Sequence, residues 1–304
     1  MVLKYWLSLS RIPFLSVMIL PYIVGALLAD RISGSFNSLV FILGLCGAIL
    51  IQLSSHYSGE VYDLSEDRLS ITLEKNFFSG GSQVLVENRI RHKDVKILIV
   101  AAVLLALLIG LILQFYFKTG RWTLILGISG IASGLFYSKP PLRLVSQGWG
   151  EFIIAYAFGW LAVNVGFYIQ ASRFDILATL VSLPLSCAVV NIILINEYPD
   201  YPADKLAGKG NLLVRVGKEN GAALYACLVF VGATSFFLNL AWGLPFISGA
   251  IYFPILLMAI ILAVRMLREG YNDRRGLEKM CLMTILVHLG TSLSFILGLL
   301  IGKA

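Results

Sequence analysis

Long apolar stretches alternate with shorter polar segments along almost the whole chain. An apolar run of about 18 residues or more is long enough to cross the hydrocarbon core of a bilayer as an α-helix. The runs of about this length lie near residues 12–29, 38–57, 95–117, 121–137, 149–169, 174–197, 219–240, 245–265 and 277–301. The pattern therefore predicts an all-α, multi-pass membrane protein with about nine transmembrane helices.

The composition supports this class and argues against others. Hydrophobic residues make up 58% of the 304 residues and charged residues 13%, whereas a typical soluble domain is about 45–50% apolar and 25% charged. The net charge is +7, but the basic residues lie between the apolar runs, which argues against nucleic-acid binding. The four cysteines lie inside apolar runs and form no CxxC pair, so they indicate neither a disulfide framework nor a zinc site.

The distribution of Lys and Arg predicts the orientation. If the nine runs cross the membrane in alternation, 19 of the 24 basic residues fall on the side of the N-terminus. Basic residues collect in cytoplasmic loops, so we expect a cytoplasmic N-terminus and a C-terminus outside. The first run follows only a short basic segment without a small-residue cleavage site, and we interpret it as a retained helix in the cell membrane.

Two loops on the basic side are longer than the others, near 58–94 and 198–218. Polar loops of this length at one face are candidates for functional segments. The composition does not separate a soluble domain from the rest. We therefore expect residues 1–304 to form a single transmembrane domain with two cytoplasmic cap loops.

An acidic pattern, E-x-x-D-x-x-x-D, occurs at the start of both long loops. Its members are Glu60, Asp63 and Asp67 in the first copy and Glu197, Asp200 and Asp204 in the second. Positions i, i+3 and i+7 share one face of a helix, where three carboxylates repel each other. A divalent cation would offset this repulsion, and oxygen ligands favour Mg²⁺, Mn²⁺ or Ca²⁺.

The alternative for one acidic cluster alone is a solvated helix end. The identical spacing of two clusters, each after an apolar run, favours a metal site instead. Pro199 and Pro202 predict that the second cluster lies at a helix break rather than on a regular helix.

Basic residues on the same side are candidate partners for phosphate oxygens. They are Arg11, Arg68, Lys139 and Lys209. Each of them could instead be a positive-inside anchor, which is the interpretation that we favour for Arg143. The run Phe78-Ser79-Gly80-Gly81-Ser82 is interpreted as a turn whose backbone N–H groups are a candidate contact for an anion.

These motifs resemble the UbiA superfamily of intramembrane aromatic prenyltransferases. The family has aspartate-rich motifs at the ends of its second and sixth helices, the first usually N-D-x-x-D-x-x-x-D. Here Gly59 and Glu60 replace the Asn and the first Asp. The second motif and the following Ala207-Gly208-Lys209-Gly210-Asn211 resemble the menaquinone-pathway branch, whose members prenylate 1,4-dihydroxy-2-naphthoate. The resemblance covers essentially the whole chain.

The resemblance implies a ring of nine helices around a central cavity that opens sideways to lipid. It implies an isoprenyl diphosphate donor, an aromatic acceptor and bound Mg²⁺, while the placement of the basic residues predicts no nucleic-acid partner. It assigns catalysis to Asp63, Asp67, Asp200 and Asp204, and Mg²⁺ binding to these four together with Glu60. The diphosphate would contact Arg11, Arg68, Lys139 and Lys209, with Tyr137 as a hydrogen-bond donor, and further candidates for substrate contact are His56 and Asn196.

Alternatives remain open at this level. Within the superfamily, the acceptor could be a 4-hydroxybenzoate or a glycerol-phosphate lipid. Outside it, a membrane transporter also combines repeated motifs with polar groups near membrane helices. A receptor-like membrane scaffold would need no metal. The acidic clusters lie at the membrane face rather than at the midplane, which argues against the transporter.

Overall fold

The computed structural model describes residues 2–34, 36–72 and 81–302, and these residues contain helices and turns but no strand. The α-helices are α1 Val2–Ser10, α2 Ser16–Ser33, α3 Ser38–Tyr62, α4 Leu64–Thr72, α5 His92–Tyr116, α6 Thr123–Ser138, α7 Gly150–Ala171, α8 Ile176–Leu206, α9 Leu212–Val216, α10 Lys218–Ala241, α11 Phe246–Leu267 and α12 Arg274–Ile301. Short 3₁₀ turns join α1 to α2 and follow α6. The expected all-α architecture is confirmed.

The helices expected to cross the membrane are found at the predicted places. Within the described residues, eight helical spans are long and apolar enough to cross a bilayer, the first of them combining α1 and α2. The fourth expected span corresponds to α6, which has only 16 residues. At about 1.5 Å per residue, α6 is about 24 Å long and falls short of the roughly 30 Å hydrocarbon core. Among the described residues, eight of the nine predicted spans are therefore long enough to cross the bilayer, and α6 is shorter.

Close backbone contact between α2 and α7 draws the first and fifth spans together. A Cβ atom on Gly25 would lie 1.9 Å from the carbonyl oxygen of Val163, and one on Gly166 would lie 2.2 Å from the carbonyl oxygen of Tyr22. Only glycine permits this approach, as at other tightly packed membrane helices. Next to this contact, Phe236 and Phe295 stack in a core shared by α10 and α12.

The backbone geometry of the two acidic clusters is the opposite of the predicted one. The first cluster lies at a helix break, because α3 ends at Tyr62 and α4 begins at Leu64, with Asp63 between them. The second cluster lies on the continuous helix α8, which contains Pro199 and Pro202. The prediction of a break at these prolines is therefore wrong. Membrane helices tolerate proline when neighbouring groups satisfy the freed backbone.

Both expected cap loops contain helical segments. In the first, α4 follows directly on α3, and the segment from Gly81 onward returns towards α3. The second is shorter than expected, because α8 continues to Leu206 before α9 begins at Leu212. These segments cover one end of the helix bundle and hold much of the site described below.

Candidate active site

Four aspartates of the two clusters line one cavity at this end of the bundle, and they are Asp63, Asp67, Asp200 and Asp204. The cavity has a volume of about 1360 Å³, part of it open to solvent. Its walls come from the segment before α2, from α3, α4, α6, α7 and α8, and from Lys209. The two motifs, far apart in sequence, therefore face a common space.

Asp63 is held by two neighbours from a distant part of the chain. The Ser138 hydroxyl donates a hydrogen bond to its Oδ2 at 2.8 Å, and Arg143 donates to its Oδ1 at 3.2 Å. Arg143 also forms an ion pair with Glu66, which lines the cavity beside Asp63. The break between α3 and α4 thus places Asp63 and Glu66 on either side of one guanidinium group.

Asp67 lies against Gly81, where the segment that returns towards α3 begins. A Cβ atom on Gly81 would lie 2.3 Å from the Asp67 Oδ2, and the φ angle of Gly81 is +64°. Burial and, to a smaller extent, the charge of Glu60 raise the pKa of the Asp67 carboxyl to about 8, while the charge of Arg11 acts in the opposite direction. A divalent cation beside Asp67 would favour its ionised form.

Glu60, which was predicted to bind Mg²⁺, is held by donors from two other segments of the chain. Its side chain is 1% exposed and does not line the cavity. Oε1 accepts hydrogen bonds from the Arg11 guanidinium at 2.6 and 3.1 Å and from the Ser82 N–H at 2.9 Å, and Oε2 accepts one from the Ser82 hydroxyl at 2.6 Å. These donors occupy both oxygens, so this geometry does not support the prediction that Glu60 is a metal ligand. It ties Arg11 to the returning segment.

In the second cluster, Asp204 is almost fully buried and paired. Lys209 lies 3.3 Å from its Oδ1, and the Asn211 amide donates to its Oδ2 at 2.7 Å. Burial alone would lower the pKa of the Lys209 ammonium, but the carboxylates of Asp204 and Asp63 outweigh burial and raise this pKa above its ordinary value. Lys209 is therefore a charged group at the cavity wall.

The predicted cations separate into two groups. Arg11 and Lys209 line the cavity, whereas Arg68 and Lys139 are exposed and are not brought into its lining. Arg143, which sequence alone assigned to membrane topology, pairs with the first cluster instead. The sequence contains no local signal for this role, because the carboxylate partners of Arg143 lie about 80 residues earlier.

The other predicted contacts also reach the cavity. Tyr137, His56 and Asn196 all line it. The His56 ring bonds through Nδ1 to the Ser10 carbonyl oxygen at 3.0 Å. In the predicted turn, Phe78, Ser79 and Gly80 lie outside the described residues. Gly81 lines the cavity, and Ser82 bonds to Glu60.

The charges around the cavity fit a divalent cation. Asp63, Asp67, Asp200, Asp204, Glu66 and Glu197 line it, whereas the cations that line it are Arg11 and Lys209. Among the described residues, no group of three or more His, Cys, Asp or Glu side chains is close enough to enclose a metal ion. Mg²⁺ commonly takes one or two carboxylates and completes its shell with water and phosphate oxygens. The oxygen donors present fit such an ion.

An apolar groove adjoins the polar cavity and lies between α3, α5, α6 and α7. The two spaces share lining residues such as Ser55, Tyr137 and Phe158. Small residues form much of the groove wall, and at Gly127 an added Cβ would meet no atom within 4 Å. Tyr22 lines the groove as well. The site thus joins a charged end to a long apolar channel inside the bundle.

A bundle of membrane helices with a carboxylate-rich cavity open to an apolar groove defines an intramembrane site for an amphiphilic substrate. A sequence profile of the UbiA prenyltransferase family matches residues 18–298. The protein belongs to this family and is an integral membrane protein, so the predicted superfamily is confirmed.

Two bacterial relatives share 25% and 26% sequence identity with this chain. A 1,4-dihydroxy-2-naphthoate octaprenyltransferase from Escherichia coli (strain K12) is 26% identical over 310 residues, which cover 98% of this chain and 96% of that one. A protein of the same name from Bacillus subtilis (strain 168) is 25% identical over 219 residues, covering 72% of this chain and 68% of that one.

Solved structures share the fold. A UbiA homolog from Archaeoglobus fulgidus bound to GPP and Mg²⁺ matches with a TM-score of 0.62 and 17% identity, covering 96% of this chain and 99% of that chain. A digeranylgeranylglyceryl phosphate synthase matches with a TM-score of 0.67 and 17% identity, covering 98% of both chains. At this identity, the matches establish a common architecture only.

Proposed function

We propose that this protein transfers an isoprenyl group from an allylic diphosphate to an aromatic acceptor of the 1,4-dihydroxy-2-naphthoate type, with Mg²⁺ as cofactor. The observation that carries the proposal is that the charged cavity and the apolar groove lie side by side and share lining residues. A diphosphate needs cationic partners and a prenyl chain needs an apolar channel, and this site offers both side by side. The names of the relatives support the naphthoate acceptor.

The donor would bind with its diphosphate at the carboxylate end and its prenyl chain in the groove. Arg11 and Lys209 line the cavity as charge partners for phosphate oxygens, and Tyr137 stands where cavity and groove meet. Asp63, Asp67, Asp200 and Asp204 are the residues that would hold Mg²⁺, which when bound supplies positive charge against the departing diphosphate. Arg68 and Lys139 remain predicted contacts, and a titration below tests Lys139.

The reaction balances as an exchange of two bonds. The bond between the allylic carbon and the diphosphate oxygen breaks, and a bond from that carbon to the aromatic ring forms. The ring C–H bond then breaks, and its proton passes to the released diphosphate or to water. Arg11 and Lys209 would stabilise the diphosphate as its negative charge grows, which lowers the barrier only because that charge is larger in the transition state. The apolar groove walls limit attack of water on the allylic carbon.

The orientation follows from the charge distribution. We expect the end of the bundle that carries the cavity to face the cytoplasm, with the C-terminus outside, because most basic residues lie at the cavity end. A soluble diphosphate headgroup would then reach the site from the cytoplasm while the prenyl chain stays in the membrane. The cap segments and the helix bundle would act as one transmembrane domain over residues 1–304.

A direct assay tests the function. Detergent-purified protein with Mg²⁺ and a labelled allylic diphosphate is given a panel of acceptors that includes 1,4-dihydroxy-2-naphthoate, 4-hydroxybenzoate and a glycerol-phosphate lipid. We expect a prenylated naphthoate product and release of diphosphate. Product from only one of the other acceptors would overturn the acceptor assignment. Transport of a solute by reconstituted protein, without release of diphosphate, would overturn the enzyme assignment.

Lys209→Ala is expected to weaken binding of the diphosphate donor by roughly 10–100-fold. A hydrogen bond from a charged donor contributes about 1.5–3 kcal/mol, and each 1.4 kcal/mol is about tenfold in affinity. Titration of labelled donor in the presence of Mg²⁺ measures the change. Affinity for the aromatic acceptor should change much less, because Lys209 lies beside the carboxylate cluster.

The matched comparison is Lys205→Ala, because Lys205 is exposed and precedes Lys209 by only four residues. We expect donor affinity in this variant to equal that of the wild type. The same titration of Lys139→Ala tests the sequence-based prediction that Lys139 contacts the diphosphate. Equal donor dissociation constants for Lys209→Ala and the wild type would remove Lys209 from the donor site.

A further inference from the structure

Two glutamates from different helices meet beside the cavity. Glu151 lies at the start of α7 and Glu197 in α8, and their side-chain carboxyl groups lie close together where these helices pack. Both residues are at least nine-tenths buried. Glu151 Oε1 also accepts the Leu212 N–H at 2.9 Å, which fixes it against the start of α9. The pair is therefore a held, buried element of the site.

One oxygen of each glutamate has no donor from the described residues. Glu151 Oε2 and Glu197 Oε2 have no hydrogen-bond donor among the described residues. Two adjacent carboxylates away from water repel strongly, so the pair needs a proton or a hydrogen-bond donor to stabilise it. Even with one shared proton, a buried oxygen without a donor is costly. The geometry therefore leaves room for a donor from a ligand.

A second unpartnered acceptor lies next to Glu197. Asn196 Oδ1 is buried and has no donor among the described residues, and both Asn196 and Glu197 line the cavity. A diphosphate cannot satisfy these atoms, because its oxygens are acceptors and carry the same charge as the glutamate pair. A ligand with hydroxyl groups can, because each hydroxyl donates one hydrogen bond.

We infer that Glu197, held in place by Glu151, and its neighbour Asn196 form the acceptor subsite, and that they accept hydrogen bonds from the hydroxyl groups of the aromatic acceptor. This inference rests on the proposed function and deepens it by assigning the recognition of the acceptor. Glu197 is the first member of the second cluster, about one helical turn before Asp200, so the subsite would hold the ring next to the diphosphate end of the donor. Sites built to bind a hydroxyl group discriminate strongly against analogues that lack it.

The test compares 1,4-dihydroxy-2-naphthoate with two analogues that each lack one hydroxyl group. In the wild type, loss of the recognised hydroxyl should lower kcat/KM by about 10–100-fold. In Glu197→Gln, the same loss should cost only about twofold, because the amide NH₂ removes the charged acceptor. The donor KM should stay unchanged. Glu219→Gln, at an exposed carboxylate on α10, is the control and should behave like the wild type.

Asn196→Ala provides a second variant if Glu197→Gln does not fold, and its acceptor KM should rise while its donor KM stays unchanged. An unchanged hydroxyl penalty in both variants overturns the subsite, as does a parallel rise of donor and acceptor KM. Failure of the proposed function is distinguishable, because the wild type itself would then prenylate none of the aromatic acceptors. Binding of the donor alone would be retained in that case.

Discussion

Removal of divalent cations with excess EDTA is expected to lower prenyl transfer at least about a thousandfold, and Mg²⁺ is expected to restore it. Six carboxylates line the cavity, and their cationic neighbours are Arg11 and Lys209 in its lining and Arg143, which pairs with Asp63 and Glu66. These cations alone do not balance both the carboxylates and an added diphosphate. A bound metal ion contributes several kcal/mol to stabilising charge in the transition state, and about 1.36 kcal/mol corresponds to tenfold in rate.

Turnover of a labelled donor with and without EDTA measures this effect, and Mn²⁺ binding followed by electron paramagnetic resonance gives a readout independent of activity. Unfolding of the protein by EDTA is checked by circular dichroism. Full turnover in excess chelator would remove the metal from the mechanism. The proposed acceptor subsite would still be testable with the same substrates.

Asp63→Asn and Asp200→Asn are each expected to reduce turnover by about a thousandfold, because each removes a carboxylate from the cavity in which the metal would bind. The fold should persist. Asparagine keeps the shape of aspartate and an acceptor oxygen for Ser138, and Arg143 retains its ion pair with Glu66. Loss of one negative charge from an acidic cluster changes stability by only a few tenths of a kcal/mol per like-charge pair.

Steady-state turnover with saturating donor, together with Mn²⁺ binding, measures the two variants. Asp94→Asn is the matched control, because Asp94 forms an ion pair with Arg91 at the surface and does not line the cavity. Exposed pairs contribute about 0–1 kcal/mol, so this variant should retain normal turnover. Near wild-type rates in Asp63→Asn or Asp200→Asn would exclude that cluster as a metal site.

The sequence by itself determined the fold class and the location of the two acidic clusters. Hydropathy is a local property that depends on about 20 consecutive residues, so the helices are found where the apolar runs predicted them. The repeated spacing also identified Asp63, Asp67, Asp200 and Asp204, which do share one cavity. The basic residues on the same side of the membrane added Arg11 and Lys209, which line this cavity as well.

The tertiary structure decided what each charged group contacts. Sequence could not assign Arg143 to Asp63, because these residues are 80 positions apart and their contact depends on how α3 and α6 pack. Glu60 matches the metal motif by spacing, yet packing turns it towards Arg11 and Ser82.

The glutamate pair and the helix break also depend on tertiary contacts. Glu151 and Glu197 meet only because α7 packs against α8, and no local pattern marks either residue as half of a pair. Proline predicts a break by its missing N–H, but α8 continues through Pro199 and Pro202 while α3 ends at Tyr62 instead. Local patterns specify which segments are helical. The partners of a buried charge depend instead on contacts between segments that are distant in sequence. A buried charge without a partner is costly, and any segment that packs against it can supply that partner.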